Sequence, residues 1–393
     1  MIKAGAGCST NQDSVQAAIE AASQAMELGG LNKADWALVF STFPHRARYR
    51  EILTKVSEVA QTVSIAGCSA VGVLSNSSEI EGDPGVVVLA VSSDTMQGTP
   101  LLVRHSGDGG LKTGIEIGEQ LLSIQGGNRL LTLFPDPFNI HPELLLRGVE
   151  SRLGEIPVVG AAASEHPAMG ETYEFCGDLV SPGAVSGLFL RGNFGHRIGI
   201  TQGCQPVGLP CTITKAETNI IFELDGRPAF EVLKESIPAS IRENPREIMR
   251  LVFAAFPLDP EEKEIKGGDY LVRNLLGFNP DTGIIGVAEN VREGQVMSFT
   301  LRHPTMARED LKQMLERLLS SSQPDKRFKF GFYFNCCARG SSLYGYQGID
   351  TAYITQALGE VPIVGFFGNS ELAPLRQTNY LFTYTGVLVL ISE

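Results

Sequence analysis

The sequence has no apolar run approaching the roughly 18 to 20 residues that a membrane helix requires. Its longest candidates, Val86–Val91 and Val387–Ile391, have the length of strands. It has no basic excess: 32 Lys and Arg stand against 44 Asp and Glu, a net −12, which excludes a nucleic acid or an anionic membrane as the expected partner. It has no Cys-x-x-Cys pair, and its cysteines number seven, so neither a zinc site nor a disulfide framework is expected. The first twelve residues lack the basic-then-apolar pattern of a signal peptide. With the thiols, that reads as a reduced, cytoplasmic chain. No GxSxG elbow occurs. Gly107–Thr113 resembles a phosphate loop but has Leu111 where a P-loop needs glycine, and Lys112 where the dinucleotide fingerprint needs its third. The six histidines show no metal spacing, and no cofactor is expected.

What is present is repetition. Three stretches share one order: buried strand, polar loop, amphipathic helix, then a short apolar strand ending in glycine. They run from Ala37–Phe40 to Gly67, from Leu131–Phe134 to Gly160, and from Gly331–Phe334 to Gly365. Each is followed by a turn-rich stretch and a glycine-led apolar strand beginning at Gly85, Gly187 and Gly386. Each is preceded by a helix with apolar residues at helical spacing, around Val15–Met26, Leu111–Leu122 and Leu311–Leu319. A period of about 100 residues is too long for a solenoid. It suits helices layered on sheets.

The expected fold is therefore α/β of mixed α+β character, with repeated strand-helix-strand units forming two layered domains with mixed sheets. At 393 residues the chain exceeds one comfortable core. Residues 1–212 hold two units. Residues 213–393 hold an insert and the third unit. The insert opens on a hairpin signal at Asp225-Gly226. It continues as a helical stretch to about Lys266 and ends in strand-like runs at Tyr270–Phe278, Gly283–Ala288 and Gln295–Leu301.

In such sheets ligands bind beyond the carboxyl ends of the strands. The densest polar cluster there is Asn335-Cys336-Cys337-Ala338-Arg339-Gly340. Arg339 can clamp a carboxylate bidentately, and Cys336 becomes a nucleophile if a neighbouring cation lowers its pKa. Glu371, in Ser370-Glu371 after Gly365, has an apparent counterpart in Ser164-Glu165 after Gly160. Gly67, Cys68 and Ser69 end the first unit, where glycine allows close approach of a strand or a ligand.

With these residues collected, the chain resembles the FIST family of F-box and intracellular signal transduction modules. The resemblance rests on Gly203–Gly208 with Leu224–Ala229, on Tyr270–Arg273, and on Phe334-Asn335-Cys336 with Arg339-Gly340, Pro362–Phe366 and Glu371. It implies an N-type domain, a C-type domain and a sensory role. The implied ligand is an amino acid or a similar small carboxylate metabolite, bound in a cleft between repeated units. Ser370 replaces the family's usual glycine, and no output region fits within these residues, so a separate signalling partner is implied.

The site so expected comprises Asn335, Cys336, Arg339, Gly340, Gly365 and Glu371, with Gly67, Cys68, Ser69, Ser164 and Glu165 as equivalents. Arg339 takes a carboxylate, Glu371 takes an amine, and Arg339→Ala is expected to lose ligand while keeping the fold. Two other readings stand beside this one. One is an enzyme using Cys336, for which spacing identifies no base. The other is an interaction scaffold without a small ligand.

Overall fold

The computed structural model describes residues 1–76, 78–124, 126–165, 169–265, 268–320 and 328–393. Residues 166–168 and Lys266, within stretches named above, lie outside that range. The fold is mixed α/β, in two compact units. One comprises residues 1–200, 312–381 and 385–393; the other comprises 201–311 and 382–384.

The first repeat runs β1 (Ile2–Ser9), α1 (Ser14–Gly29), β2 (Trp36–Thr42), α2 (Tyr49–Ala60), β3 (Ile65–Ala70), a hairpin of β4 (Gly72–Ser75) and β5 (Ser78–Glu81), and β6 (Val86–Ser93). The second follows the same order: β7 (Met96–Arg104), α3 (Leu111–Leu121), β8 (Asn128–Pro135), α4 (Pro142–Leu153), β9 (Val158–Ala161), β10 (Glu174–Cys176), β11 (Leu179–Ser181) and β12 (Ala184–Gly192).

The third repeat begins with β13 (Gly195–Gln202). The chain then passes through β14 (Cys204–Glu217), β15 (Ile220–Leu224), β16 (Arg227–Pro228), α5 (Ala229–Ser236), α6 (Ala239–Arg242), α7 (Pro245–Leu251), β17 (Val252–Pro257), β18 (Tyr270–Asn279), β19 (Ile284–Val287) and β20 (Val296–Arg302). It resumes with α8 (Pro304–Ser320), β21 (Phe328–Cys336), α9 (Gly340–Tyr344), α10 (Ile349–Leu358), β22 (Ile363–Gly368), β23 (Glu371–Leu375), β24 (Thr378–Phe382) and β25 (Thr385–Ser392). No helix among the described residues is long and apolar enough to cross a membrane.

The larger unit holds three six-stranded sheets of identical order: β1-β6-β2-β3-β10-β11, β7-β12-β8-β9-β23-β24 and β13-β25-β21-β22-β4-β5. Each sheet keeps four strands of its own repeat and takes its last two as a hairpin from another. The first repeat gives its hairpin to the third, the second to the first, and the third to the second. The stretches that read as turns between repeats are therefore edge strands that close a cycle.

Alternation along β2 explains why Trp36–Phe40 is apolar throughout. Ala37 and Val39 face α1 and α2, packing with Ala21, Ile52 and Val56. Phe40 points the other way, towards Phe134 of β8 and Phe366 of β22, with ring centroids at 5.2 and 4.7 Å. Phe334 joins Phe134 at 5.9 Å. The equivalent phenylalanine of each repeat thus reaches one shared core, which is why these strands read as continuous hydrophobic runs. Each such pair contributes about 0.5–1.5 kcal/mol beyond its burial.

The glycine ending each repeated strand has a steric cause. A Cβ on Gly67, Gly160 or Gly365 would overlap the carbonyl of Val39, Leu133 or Tyr333 on the neighbouring parallel strand. Gly85, Gly187 and Gly386 are not equivalents of one another. Strand register places Gly85 with Ala184 and Thr385 instead, because Ser41, Pro135 and Asn335 pair with Val86, Val185 and Gly386.

The smaller unit is a closed barrel. Antiparallel neighbours run β14-β20-β17-β18-β19-β15, and β14 pairs with β15 to complete the circuit. Ile213, Leu224, Phe256, Ile285 and Phe299 fill its interior together with Leu233 of α5. The expected turn joins β15 and β16, with Asp225 and Gly226 both at positive φ (49° and 75°). The helical stretch expected after it is interrupted by β17. A chain-order division at 212/213 falls inside β14, whereas the compact units part at residue 200.

Candidate ligand site at the end of the third repeat

Register also fixes which site residues correspond. Val39, Leu133 and Tyr333 face Gly67, Gly160 and Gly365 across the parallel pairs. Three residues farther on, at the carboxyl ends of the strands, stand Thr42, Asp136 and Cys336. The residue after each glycine pairs with the incoming hairpin: Cys68 with Glu174, Ala161 with Glu371, and Phe366 with Val73. Glu174 is therefore the equivalent of Glu371. Glu165, expected in that role from its place after Gly160, is not, because the carboxylate is delivered by the hairpin and not by the loop before it.

In the third repeat the strand end carries a buried polar network. Tyr333 and Asn335, two apart on β21, point to the same side. Asp350, in the first turn of α10, accepts from Tyr333 Oη (2.8 Å), Asn335 Nδ2 (3.1 Å) and Arg339 Nε (3.0 Å) on one oxygen. Its other oxygen accepts from Arg339 Nη2 (3.2 Å) and Tyr344 Oη (2.8 Å). Arg339 also donates to Tyr344 at 3.0 Å. The ion pair is enclosed, with Arg339 1% and Asp350 0% exposed. Burial alone would raise the Asp350 pKa, but Arg339 and the hydroxyl donors hold it below the ordinary aspartate value. Burial likewise opposes the guanidinium charge, and Asp350 overcomes it, leaving the Arg339 pKa well above normal. The bidentate clamp expected for a ligand is thus made to a carboxylate of the chain.

What remains is Arg339 Nη1, buried and without a hydrogen-bond partner. Glu371 has the complementary property. Its Oε2 accepts from Thr385 N (3.3 Å) and Thr385 Oγ1 (2.7 Å), while Oε1 is buried without a partner. Burial, and then the neighbouring Cys336, push the Glu371 pKa well above the usual glutamate value; the Thr385 donors and Arg339 pull back against them. Asn335, Cys336, Arg339 and Glu371 are therefore brought together. Gly340 adjoins them with φ 55°, where a Cβ would meet Glu81 Oε1 of the first repeat's hairpin. That same carboxylate accepts from Ser341 N and Oγ, both at 2.9 Å.

The other expected residues gather elsewhere. Ser69 accepts from Tyr173 N (3.0 Å), Ser164 accepts from Val71 N (3.0 Å) and donates to the Phe367 carbonyl, and Glu165 accepts from Tyr49 Oη (3.0 Å). Cys68 is buried among them, with its pKa raised by burial and then by Glu174 and Glu165. Gly67 and Gly365 present their Cα to a strand carbonyl, as described above.

A family model described as the FIST N domain matches residues 35–227, and one described as the FIST C domain matches residues 229–374. The chain belongs to the FIST family. Among relatives of this FIST chain, uncharacterized protein Mb0898c of Mycobacterium bovis is 30% identical over 393 residues, covering 100% of this chain and 99% of the relative. Uncharacterized protein Rv0628c of Mycobacterium tuberculosis is 30% identical over 395 residues, covering 100% of both. Uncharacterized protein MJ1623 of Methanocaldococcus jannaschii is 22% identical, over 73% of this chain and 57% of its own. Two solved structures are distantly similar. A chorismatase matches at TM-score 0.35 and 8% identity, covering 100% of this chain and 99% of its own. A cyanuric acid hydrolase from A. caulinodans matches at 0.28 and 11%, covering 49% and 70%. Neither is close enough to carry an argument.

Sequence reasoning missed Asp350, Tyr333, Tyr344, Thr385 and Glu174 in the FIST chain. Tyr333 was accessible in principle, since its spacing of two from Asn335 on a strand puts both on one face. Asp350 had a weaker signal, an acid in the first turn of a helix, which also reads as ordinary complementation of the helix dipole.

Proposed function

We propose that this chain is the ligand-binding part of a sensory system. A small carboxylate metabolite binds at the end of the third repeat, and a separate partner carries the signal. The observation that supports this most directly is the pair of buried, unpartnered atoms, Arg339 Nη1 and Glu371 Oε1, on residues near enough for the guanidinium to act on the Glu371 carboxyl. Folded proteins pair nearly all such groups, and exceptions often mark sites. Membership of a family of sensory modules supports the same reading. We assign binding and not catalysis to the cluster. The charges around Cys336 are a buried carboxyl and a guanidinium already held by Asp350, neither of which is a free base.

The test requires a variant other than Arg339→Ala. Removing that guanidinium would strand Asp350 as an uncompensated buried charge, which costs about 3–5 kcal/mol. The expectation that Arg339→Ala keeps the fold is corrected on this ground. Arg339→Lys retains a cation for Asp350 while removing Nη1. A thermal-shift screen of the purified chain against small carboxylates and amino acids should give a hit. A ligand at about a hundred times its dissociation constant adds roughly 2.7 kcal/mol. In Arg339→Lys the shift should disappear. A shift of undiminished size there, or a flat screen of the unsubstituted chain, refutes the proposal and turns attention to protein partners.

A further inference from the structure

The three repeats provide an internal comparison of the same place in the fold. In the first, Val73 fills the position of the glutamate, against Gly85. In the second, Glu174 is as buried as Glu371, but both its oxygens are engaged. Oε1 lies 2.8 Å from Thr172 Oγ1, and Oε2 accepts from Ala184 N at 3.2 Å. Thr172 Oγ1 continues to Asp136, which replaces Cys336, at 3.2 Å. The chain therefore satisfies this position by itself twice. In the third repeat it satisfies only half of Glu371.

Both donors near Glu371 converge on Oε2. Arg339 cannot neutralise Glu371 fully, because Nε and Nη2 are committed to Asp350. An ionised Glu371 would be a buried charge lacking donors on one oxygen, and such a group takes up a proton instead. The proton belongs on Oε1, the oxygen that accepts nothing. Arg339 Nη1 carries only N–H groups. The two unpartnered atoms are thus both donors.

We infer that the group bound between Arg339 and Glu371 is a hydrogen-bond acceptor, so that the site takes a simple carboxylate and has no use for the ammonium of an amino acid. This rests on the binding reading proposed above, and it reverses the amine-binding role expected for Glu371. One carboxylate oxygen accepts from the guanidinium and the acid O–H together, both strong, charge-assisted bonds. An ammonium in the same place would meet only donors and a positive charge.

The experiment is calorimetric titration of the full chain with propionate and pyruvate against alanine, which share a carbon skeleton. It is repeated in Glu371→Gln and Glu371→Leu and at pH 6 and 8. Propionate or pyruvate is expected to bind at least about tenfold more tightly than alanine, the size of one charged hydrogen bond. Glu371→Gln should bind within about threefold of the unsubstituted chain, since its amide donates where the acid does, and Glu371→Leu should lose about tenfold or more. If a Gln variant fails to fold, pH decides: carboxylate affinity should fall, and never rise, as pH increases. Alanine binding more tightly than propionate, with binding lost in Glu371→Gln or strengthened at pH 8, would overturn this inference and leave the site itself intact. If neither carboxylate nor alanine binds, the binding reading fails with it.

Discussion

At the residue scale, Asp350 differs in kind from Glu174 and Glu371, and pH should separate them. Asp350 accepts five hydrogen bonds, two of them from the Arg339 guanidinium, so it is held ionised. Glu174 and Glu371 have few donors and no committed cation, so burial raises both well above 4.5. For a carboxyl of the second kind, the unfolded chain releases its proton near its ordinary value while the folded chain keeps it. The folded state then binds more protons, and stability falls as pH rises from about 4.5 towards the raised value, by up to about 1.4 kcal/mol per pH unit for each group. Asp350 acts in the opposite sense and only in acid, where stability is lost as pH falls below its ordinary value. Urea midpoints at pH 5, 6.5 and 8 should therefore decline in the unsubstituted chain. In Glu174→Gln the decline should be shallower, because the amide keeps an oxygen to accept from Thr172 and carries no titratable group. An unchanged slope would mean that Glu174 is ionised in the fold. The sequence marked Arg339 and Glu371 as unusual, yet gave no sign that Asp350 holds two of the guanidinium's three nitrogens. The true partner of Arg339 lies eleven residues on, in a helix whose face cannot be read from an acid at its start.

At the element scale, the repeated strand-helix-strand order was legible because each strand buried on both faces reads as an apolar run, and each helix carries its own period. The hairpins were not legible. Strands of three to five residues, such as Glu174–Cys176 and Leu179–Ser181, have no periodicity to read, and their partners lie in another repeat. This hidden exchange is why Glu165 looked like the equivalent of Glu371. The terminal glycines are a sharper case. Gly365 has no positive φ, and its constraint is the Tyr333 carbonyl. Gly30 has φ 57° and ψ 42°, left-handed helical values, with open space around a Cβ. Gly365→Ala must push two paired strands apart and should cost about 1–3 kcal/mol or more, whereas Gly30→Ala bears only the left-handed backbone penalty of about 1–2 kcal/mol. Chemical denaturation of the two variants should rank them in that order. Equal costs would show that the sheet relaxes freely around Gly365.

At the scale of the whole molecule, cyclic exchange of hairpins makes the three repeats one cooperative body. A fragment ending at Gly192 contains two complete repeats by sequence. Its second sheet would nevertheless lack β23 and β24, and its first hairpin would have no β22 to pair with. It would also expose Phe40 and Phe134, which pack against Phe366 of the missing repeat. Such open edges and apolar faces lead to association, not to a stable half-molecule. Residues 1–192 expressed alone should therefore be unfolded or aggregated. In the full chain, hydrogen exchange should show the amides of β2, β8 and β21 opening together, with similar free energies. Independent folding of 1–192, with native-like protection in β2 and β8, would mean that each sheet stands without its borrowed edge. The site would then be a property of the third repeat alone. If the three strands open as one, a ligand held between Arg339, at the start of α9, and Glu371 of β23 stabilises all three sheets. Occupancy of one strand end would then be reported across the whole body, as a sensory module requires.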